Sequence, residues 1–165
     1  MSFSLETATI ATPIGVIEID ACAGWLTALR IDPSGKVREP RPQSAILDEA
    51  TAQIVDWFAN KRTGFDLPLK PLASIRGNAL RDAIVSVGYG ETMSYGALAH
   101  RASSAPRAIG QACRRNPFPI IVPCHRVTSS SGPEYYSGGA GSSTKAWLIA
   151  FEQGKAFSHD QDRLV

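Results

Sequence analysis

Cysteine is scarce in this chain and long apolar runs are missing. Only three cysteines, Cys22, Cys113 and Cys124, occur among 165 residues, and no two of them form a C-x-x-C pair. An odd, sparse set suits a reducing compartment better than a secreted disulfide framework. Cys22 has no Cys or His companions nearby that would build a structural zinc site, so no metal is expected. No stretch of 18 apolar residues is available to cross a bilayer. The first twenty residues lack the basic start and continuous apolar core of an export signal. The expectation is a soluble protein retained in the cell, without membrane contact and with any thiol chemistry resting on one cysteine. At 44% hydrophobic residues the chain can bury a core without a metal or disulfide staple.

A large net charge is also lacking: the total is only +2. Its distribution is uneven, however. Residues 1–73 carry seven Lys and Arg against nine Asp and Glu, whereas residues 74–165 carry ten against six. Between residues 101 and 127 stand Arg101, Arg107, Arg114, Arg115 and Arg126, and no acidic residue at all. Such a cluster is compatible with a solvated surface, and equally with contact to a polyanion.

Three segments of the N-terminal third, "FSLETATI", "GVIEIDAC" and "WLTALRI", alternate apolar and polar residues and predict antiparallel strands. "TPIG" supplies the first turn. Ile46, Ala50, Ile54 and Trp57 recur at helical spacing and predict a helix from about Ala45 to Asn60. The proline-bearing stretch "GFDLPLKPLAS" reads as a linker, which divides the chain into residues 1–70 and 74–165. Beyond it Leu80, Ile84 and Val87 mark a helix ending at "GYGE", and Thr92 is the expected cap of the next, "MSYGALAHRA". In "SSAPRAIGQACRRNP", Ser104 is the expected cap, Pro106 fits the first turn, and Pro117 lies past the end. One arc of this helix holds Ala108, Ile109, Ala112 and Cys113; the opposite arc holds Arg107, Gln111, Arg114 and Arg115. Two short helices in tandem, the second basic on its outer face, are what a helix-turn-helix requires. "STKAWLIAFEQG" reads as a closing helix, with Ser143 or Thr144 near its start and Gly154 as terminator.

The segment "NPFPIIVPCHRVTSSSG" places Cys124, His125 and Arg126 in consecutive positions behind an apolar run and a proline. A thiolate is the nucleophile, so the sulfur needs a base or a lowered pKa. His125 adjoins it, Arg126 adds positive charge, and Glu152 is available from the last helix to orient the imidazole. Neighbouring side chains on a strand point apart, so Pro123–His125 must turn for the pair to cooperate. A cysteine after an apolar run is also compatible with an inert buried residue. The flanking basic helix and the Ser/Gly-rich loop after it point to chemistry.

"IVPCHRV", with "RAIGQACRRNP" before it and "YYSGG" after it, resembles the active-site region of the O6-alkylguanine-DNA alkyltransferases, and "GYGETMSYGALA" resembles that family's upstream motif. The likeness runs from about Tyr89 to Glu152. It implies an α+β fold in which a small ribonuclease-H-like domain, residues 1–70, with a three-stranded antiparallel sheet and one helix, precedes a winged-helix-like helix-turn-helix domain, residues 74–165. The implied activity is direct repair: a monomer binds double-stranded DNA containing O6-alkylguanine, flips the damaged base, and keeps its alkyl group on cysteine in a single turnover without a cofactor. A cytoplasmic or nucleoid-associated location follows, or a nuclear one in a eukaryote.

Residue by residue, the resemblance makes Cys124 the nucleophile, His125 and Glu152 its relay, Tyr95 a proton donor beside the base, and Asn116 the residue fixing the turn before the cysteine. Arg107 is implied as the finger entering the base stack, with Ser94, Tyr95, Ala108, Gly110, Gln111, Arg114 and Arg115 contacting DNA. The Val127 carbonyl would accept from the guanine amino group, and Tyr136, Ser137 and Gly138 would form the pocket wall and a donor to O6. Small residues Ala108, Gly110 and Ala112 suit close approach to a minor groove, with weakly sequence-dependent, salt-sensitive affinity.

Two departures stand out. Arg76, Gly77 and Arg81 occupy places where the family pattern has a Phe-Gln pair and a tryptophan, which should alter how this helix packs. "GPEYYSGG" is one residue short and "GGAGSSTK" about two residues long, which should alter the pocket. An alkyltransferase-like damage sensor without transfer activity is the nearest alternative, although a tryptophan commonly replaces the nucleophile there. A cysteine hydrolase, which would want an oxyanion hole, and a transcription regulator with a structural thiol are the others.

Overall fold

The computed structural model describes residues 3–39, 43–130, 136 and 138–155. It is a mixed α/β structure in which a three-stranded antiparallel sheet, β1 (Glu6–Thr12), β2 (Gly15–Cys22) and β3 (Trp25–Asp32), precedes five α-helices. The helices are α1 (Ala45–Phe58), α2 (Ile75–Val85), α3 (Tyr95–Arg101), α4 (Pro106–Arg114) and α5 (Ser142–Glu152). Two-residue strands β4 (Met93–Ser94) and β5 (Val127–Thr128) pair in parallel. None of the helices among the described residues is long and apolar enough to cross a membrane.

Strand alternation explains the sheet. Ile17, Ile19 and Ala21 are buried on one face of β2, while Glu18 and Asp20 meet Arg30 on the other, at 3.1 and 2.6 Å. On β3 the buried Leu26 and Leu29 are three apart, which strict alternation forbids. A register shift between Asp20 and Ala21, which pair with Ala28 and Leu26, leaves Thr27 as the extra residue and returns both leucines to the core. The β2–β3 hairpin turns through Ala23 and Gly24, both at positive φ. β1 begins three residues later than the alternation predicted and continues to Thr12.

The outer edge of β3 is paired at four backbone groups. Leu26 N–H donates to Pro68 O (2.9 Å) and Lys70 N–H to Leu26 O (2.9 Å). Further along, Leu29 N–H donates to Pro117 O (2.8 Å) and Gly139 N–H to Ile31 O (3.3 Å). Segments from three distant parts of the chain are thereby laid along one strand. Gln53 of α1 fixes the first of them, exchanging bonds with Asp66 N (2.9 Å) and Asp66 O (3.0 Å).

Trp57, fully buried at the end of α1, joins that helix to α5 and to the segments around Phe65 and Tyr89. Its ring lies 4.9 Å from Phe151 of α5, 6.2 Å from Tyr89 and 6.3 Å from Phe65. Apolar burial is continuous from the sheet through α1 to Leu98, Ile109, Phe118 and Leu148.

Helix starts differ from expectation in two places. Ser94, not Thr92, caps α3, its Oγ accepting from Ala97 N–H at 3.1 Å, because Met93 and Ser94 are taken into the ladder with β5. At α4 the cap position is Ala105, and Ser104 Oγ instead accepts from Arg76 at 3.4 Å. Pro106 at the first position supplies the preset φ that a missing side-chain cap would otherwise leave wanting. Trp57→Ala should lower unfolding stability by about 3–5 kcal/mol, measured as a shift of the urea midpoint at unchanged m.

Candidate active site

Asn116 sets the approach to the cysteine. Its Oδ1 accepts from Phe118 N–H (2.9 Å), and its Nδ2 donates to Val122 O (2.8 Å) and to Cys124 Sγ (3.2 Å). One amide thus ties both limbs of the loop 116–124 and aims a donor at the sulfur. Midway, the buried Ile120 holds φ at 75°, a region that β-branched residues rarely enter. Strain of this kind costs roughly 1–3 kcal/mol and persists only where surrounding packing dictates it. After Pro123 the chain enters a 3-10 turn, Cys124–Arg126, the turn that cooperation between Cys124 and His125 requires.

His125 is completely buried, and its Nε2 lies 2.7 Å from Glu152 Oε1. The same carboxylate accepts from Arg126 Nε (2.9 Å to Oε2) and Nη2 (2.8 Å to Oε1), and from Gly90 N–H (3.3 Å). Burial alone would raise the Glu152 pKa, but the bonds from His125 and Arg126 hold it at about 2. An ionised carboxylate only accepts, so Nε2 carries the imidazole proton. Burial pushes the His125 pKa down, with Glu152 pulling partly back, so the ring is neutral at neutral pH. Its Nδ1, the basic nitrogen, is buried with no partner among the described residues.

Arg126 was expected to add positive charge beside the sulfur. In the structure it is committed to Glu152 and, through Nη1, to Val87 O at 2.7 Å, because a buried carboxylate needs the nearest cation. Burial likewise dominates at Cys124 and pushes the thiol pKa up, while the Asn116 bond and Lys145 pull it down. The sulfur therefore rests as a thiol, and a base must take its proton at the moment of reaction.

Lys145 escaped the sequence reading. It is 1% exposed, its Nζ donates to Val127 O (2.7 Å) and sits 5.8 Å from the centre of the Tyr95 ring. Its position was available as a signal, since Thr144, Lys145, Leu148 and Glu152 are the buried stripe of α5 at helical spacing. The Val127 carbonyl already accepts this bond, which leaves one lone pair for a further donor.

Tyr95 opens α3, half-buried, where the β4–β5 pairing of Met93 with Val127 holds it near the strand that follows the cysteine. Tyr136 is buried with its hydroxyl unpartnered among the described residues, and burial, then Cys124 and Glu152, push its pKa well up. It is a protonated donor. Gly138 lies flat on this ring, where a Cβ would come 2.9 Å from Tyr136 Cε1 and 3.0 Å from Ile31. Ser137 lies outside the described residues.

On α4 the two arcs separate as the spacing predicted. Ile109 and Cys113 are buried, Ala108, Gly110 and Ala112 half-buried, and Arg107, Gln111, Arg114 and Arg115 exposed. Nothing within 4 Å would meet a Cβ at Gly110, so the helix is smooth there. Burial and the neighbouring Cys124 push the Cys113 thiol up to about 12, so it too rests as a thiol. The Ser94 hydroxyl is committed to capping α3.

Comparison with known proteins shows the family. Residues 78–154 match the model of the 6-O-methylguanine DNA methyltransferase DNA binding domain. A methylated-DNA–protein-cysteine methyltransferase of Mycolicibacterium paratuberculosis is 35% identical over 90% of this chain and 93% of its own length. The human protein of that name is 32% identical over 90% of this chain and 80% of its own. The crystal structure of Mycobacterium tuberculosis O6-methylguanine methyltransferase superposes with a TM-score of 0.77 at 31% identity, covering 97% of this chain and 99% of that one. A structure of the M. tuberculosis protein in complex with DNA gives 0.75 at 33% identity, covering 91% and 94%. With relatives of this similarity along nearly its whole length, the chain belongs to the methylated-DNA–protein-cysteine methyltransferase family.

Proposed function

We propose that Cys124 is the acceptor in direct-reversal DNA repair, taking the alkyl group from O6 of guanine. The features that support this reading are a cysteine with a donor amide on its sulfur and, next to it in a tight turn, a histidine whose Nε2 meets an ionised carboxylate while its Nδ1 has no partner among the described residues. The thiol proton passes to His125 Nδ1, and the imidazolium so formed is stabilised by Glu152. The sulfur lone pair forms the S–C bond as the C–O6 bond breaks. The electrons released to guanine are matched by a proton from Tyr95, which recovers one from the imidazolium. The products are S-alkylcysteine and guanine, with no cofactor and no route back. One use per molecule follows.

DNA is the partner, and the finer assignments rest on the side chains. Arg107, exposed at the second position of α4, would enter the stack as the base leaves it, and the small Ala108 and Gly110 would permit close approach. Gln111, Arg114, Arg115, Ser94 and Tyr95 would line the contact. Val127 O would take the guanine amino group, and Tyr136 and Gly138, with Ser137 between them, the far wall and O6. A ribonuclease-H-like domain at 1–70 and a winged-helix-like domain at 74–165 would divide the labour between scaffold and chemistry. The acting form would be a monomer, specific for O6-alkylguanine, in the cytoplasm or on the nucleoid, or in a nucleus.

Mass spectrometry after mixing with DNA containing O6-methylguanine should find one added methyl on the peptide bearing Cys124. The Cys124→Ser protein should show none yet still bind the DNA. Binding by the unaltered protein with no mass gain would instead identify a damage sensor. Arg107→Ala should slow transfer from duplex DNA by at least tenfold with little change in affinity for undamaged duplex; an unchanged duplex rate would remove Arg107 from the flipping step. The transfer rate should hold down to pH 6.5 and fall only below it, because burial sets the His125 pKa under the ordinary value. Stability should fall over the same acid range and further between about pH 4.5 and 2. Both groups have depressed folded pKa values, so their contribution is present at neutral pH and lost as each takes a proton.

A further inference from the structure

Between α2 and α4 lies a cavity of about 440 Å³; Asn116, the amide donor to the Cys124 sulfur, and Gln111 of α4 form part of its wall, but no step of the transfer takes place inside it. That volume is within the range of small-molecule sites, roughly 300–1,000 Å³. Leu80, Ile84, Ala108, Ala112, Pro117 and Val122 give it apolar walls. Arg76, Arg81 and Arg115 also line it, and no Asp or Glu does.

Arg81 is the unusual member. It is only 9% exposed. Its Nη1 donates to Lys70 O (3.0 Å), and its guanidinium carbon stands 5.3 Å from the centre of the Phe118 ring. Its Nη2 is buried without a partner, and no carboxylate among the described residues forms an ion pair with it. The adjacent Asp82 lines a different groove, with Arg101 and Ser103. A guanidinium stays charged in a protein, and a buried charge without a counter-ion is costly. Burial pulls its pKa down, and Asp82 restores only part.

The cavity therefore offers a contact surface for hydrocarbon together with an uncompensated cation, and two further guanidinium groups of the same sign. We propose that it binds a small amphipathic anion, an aromatic or aliphatic body ending in one carboxylate, which pairs with Arg81 while its body fills the space between Leu80, Ile84 and Ala112. A DNA phosphodiester fits less well, since it brings no apolar body for these walls and its natural contacts are the exposed Arg76 and Arg115 rather than a side chain this deep.

The test is a nitrogen-15 NMR titration of the full chain with 2-naphthoate and, separately, with its uncharged analogue 2-naphthamide. Saturable shifts should centre on the Gly77, Ala108 and Ala112 amides and the Arg81 Nε, with the amide binding at least tenfold more weakly. Arg81→Met should bring naphthoate down to the affinity of naphthamide. Should that variant not fold, Ala112→Leu, which narrows the cavity, should weaken both probes by at least fivefold. Equal affinity for the two probes, shifts centred on Cys124, or no saturation would overturn the proposal. So would an Arg81 Nε that responds to undamaged duplex DNA but not to naphthoate, which would assign the guanidinium to the DNA backbone.

Discussion

The Glu152 carboxylate is the interaction on which the site depends. It collects hydrogen bonds from His125, from two nitrogens of Arg126 and from the Gly90 main chain, so α5, the cysteine turn and the loop before α3 meet on one pair of oxygens. A buried charge of this kind is tolerated only with a full complement of donors. Arg126 supplies the balancing charge, and that frees His125 to be neutral. Without the arginine, the imidazole would be drawn toward protonation by its own carboxylate and would lose the lone pair that a thiol needs.

Geometry, rather than a standing thiolate, distinguishes the nucleophile. Cys113 and Cys124 are both buried thiols whose pKa values are raised by that burial. Among the described residues, it is Cys124 whose sulfur receives an amide donor and whose neighbouring imidazole has a nitrogen without a partner. A protonated resting sulfur is also protected from adventitious oxidation, which matters for a group that can be used once. The left-handed Ile120 contributes by fixing how the chain returns from the Asn116 turn to Pro123.

Legibility in the sequence followed the range of the interactions. The three strands, α1, the basic and core faces of α4, and the pairing of Cys124 with His125 were readable because each rests on local periodicity or a compact motif, whereas Glu152, 27 residues from His125, rests on the closing helix and the family resemblance. The caps of α3 and α4 were misplaced for tertiary reasons: pairing of Met93 and Ser94 with β5 delays the start of α3 past Thr92, so that Ser94 becomes the cap, and Arg76 meets the Ser104 hydroxyl. Thr27 could not be recognised as a bulge from alternation alone, since a leucine spacing of three also fits a helix. Lys145 was passed over because a lysine ordinarily reads as surface, and only its shared stripe with Leu148 and Glu152 betrays its burial. The commitment of Arg126 to Glu152 depends on a partner 26 residues away, which no local pattern encodes.

The bonds along the outer side of β3 have a second effect. Pro68, Lys70, Pro117 and Gly139 between them occupy four of the groups that this strand would otherwise present to solvent. A bare strand of that kind is a template for stacking with copies of itself. The segments that position the sulfur and its loop thus also act as a shield against fibrillar self-association, and a truncated chain ending before them would carry a sticky ribbon in place of a finished sheet.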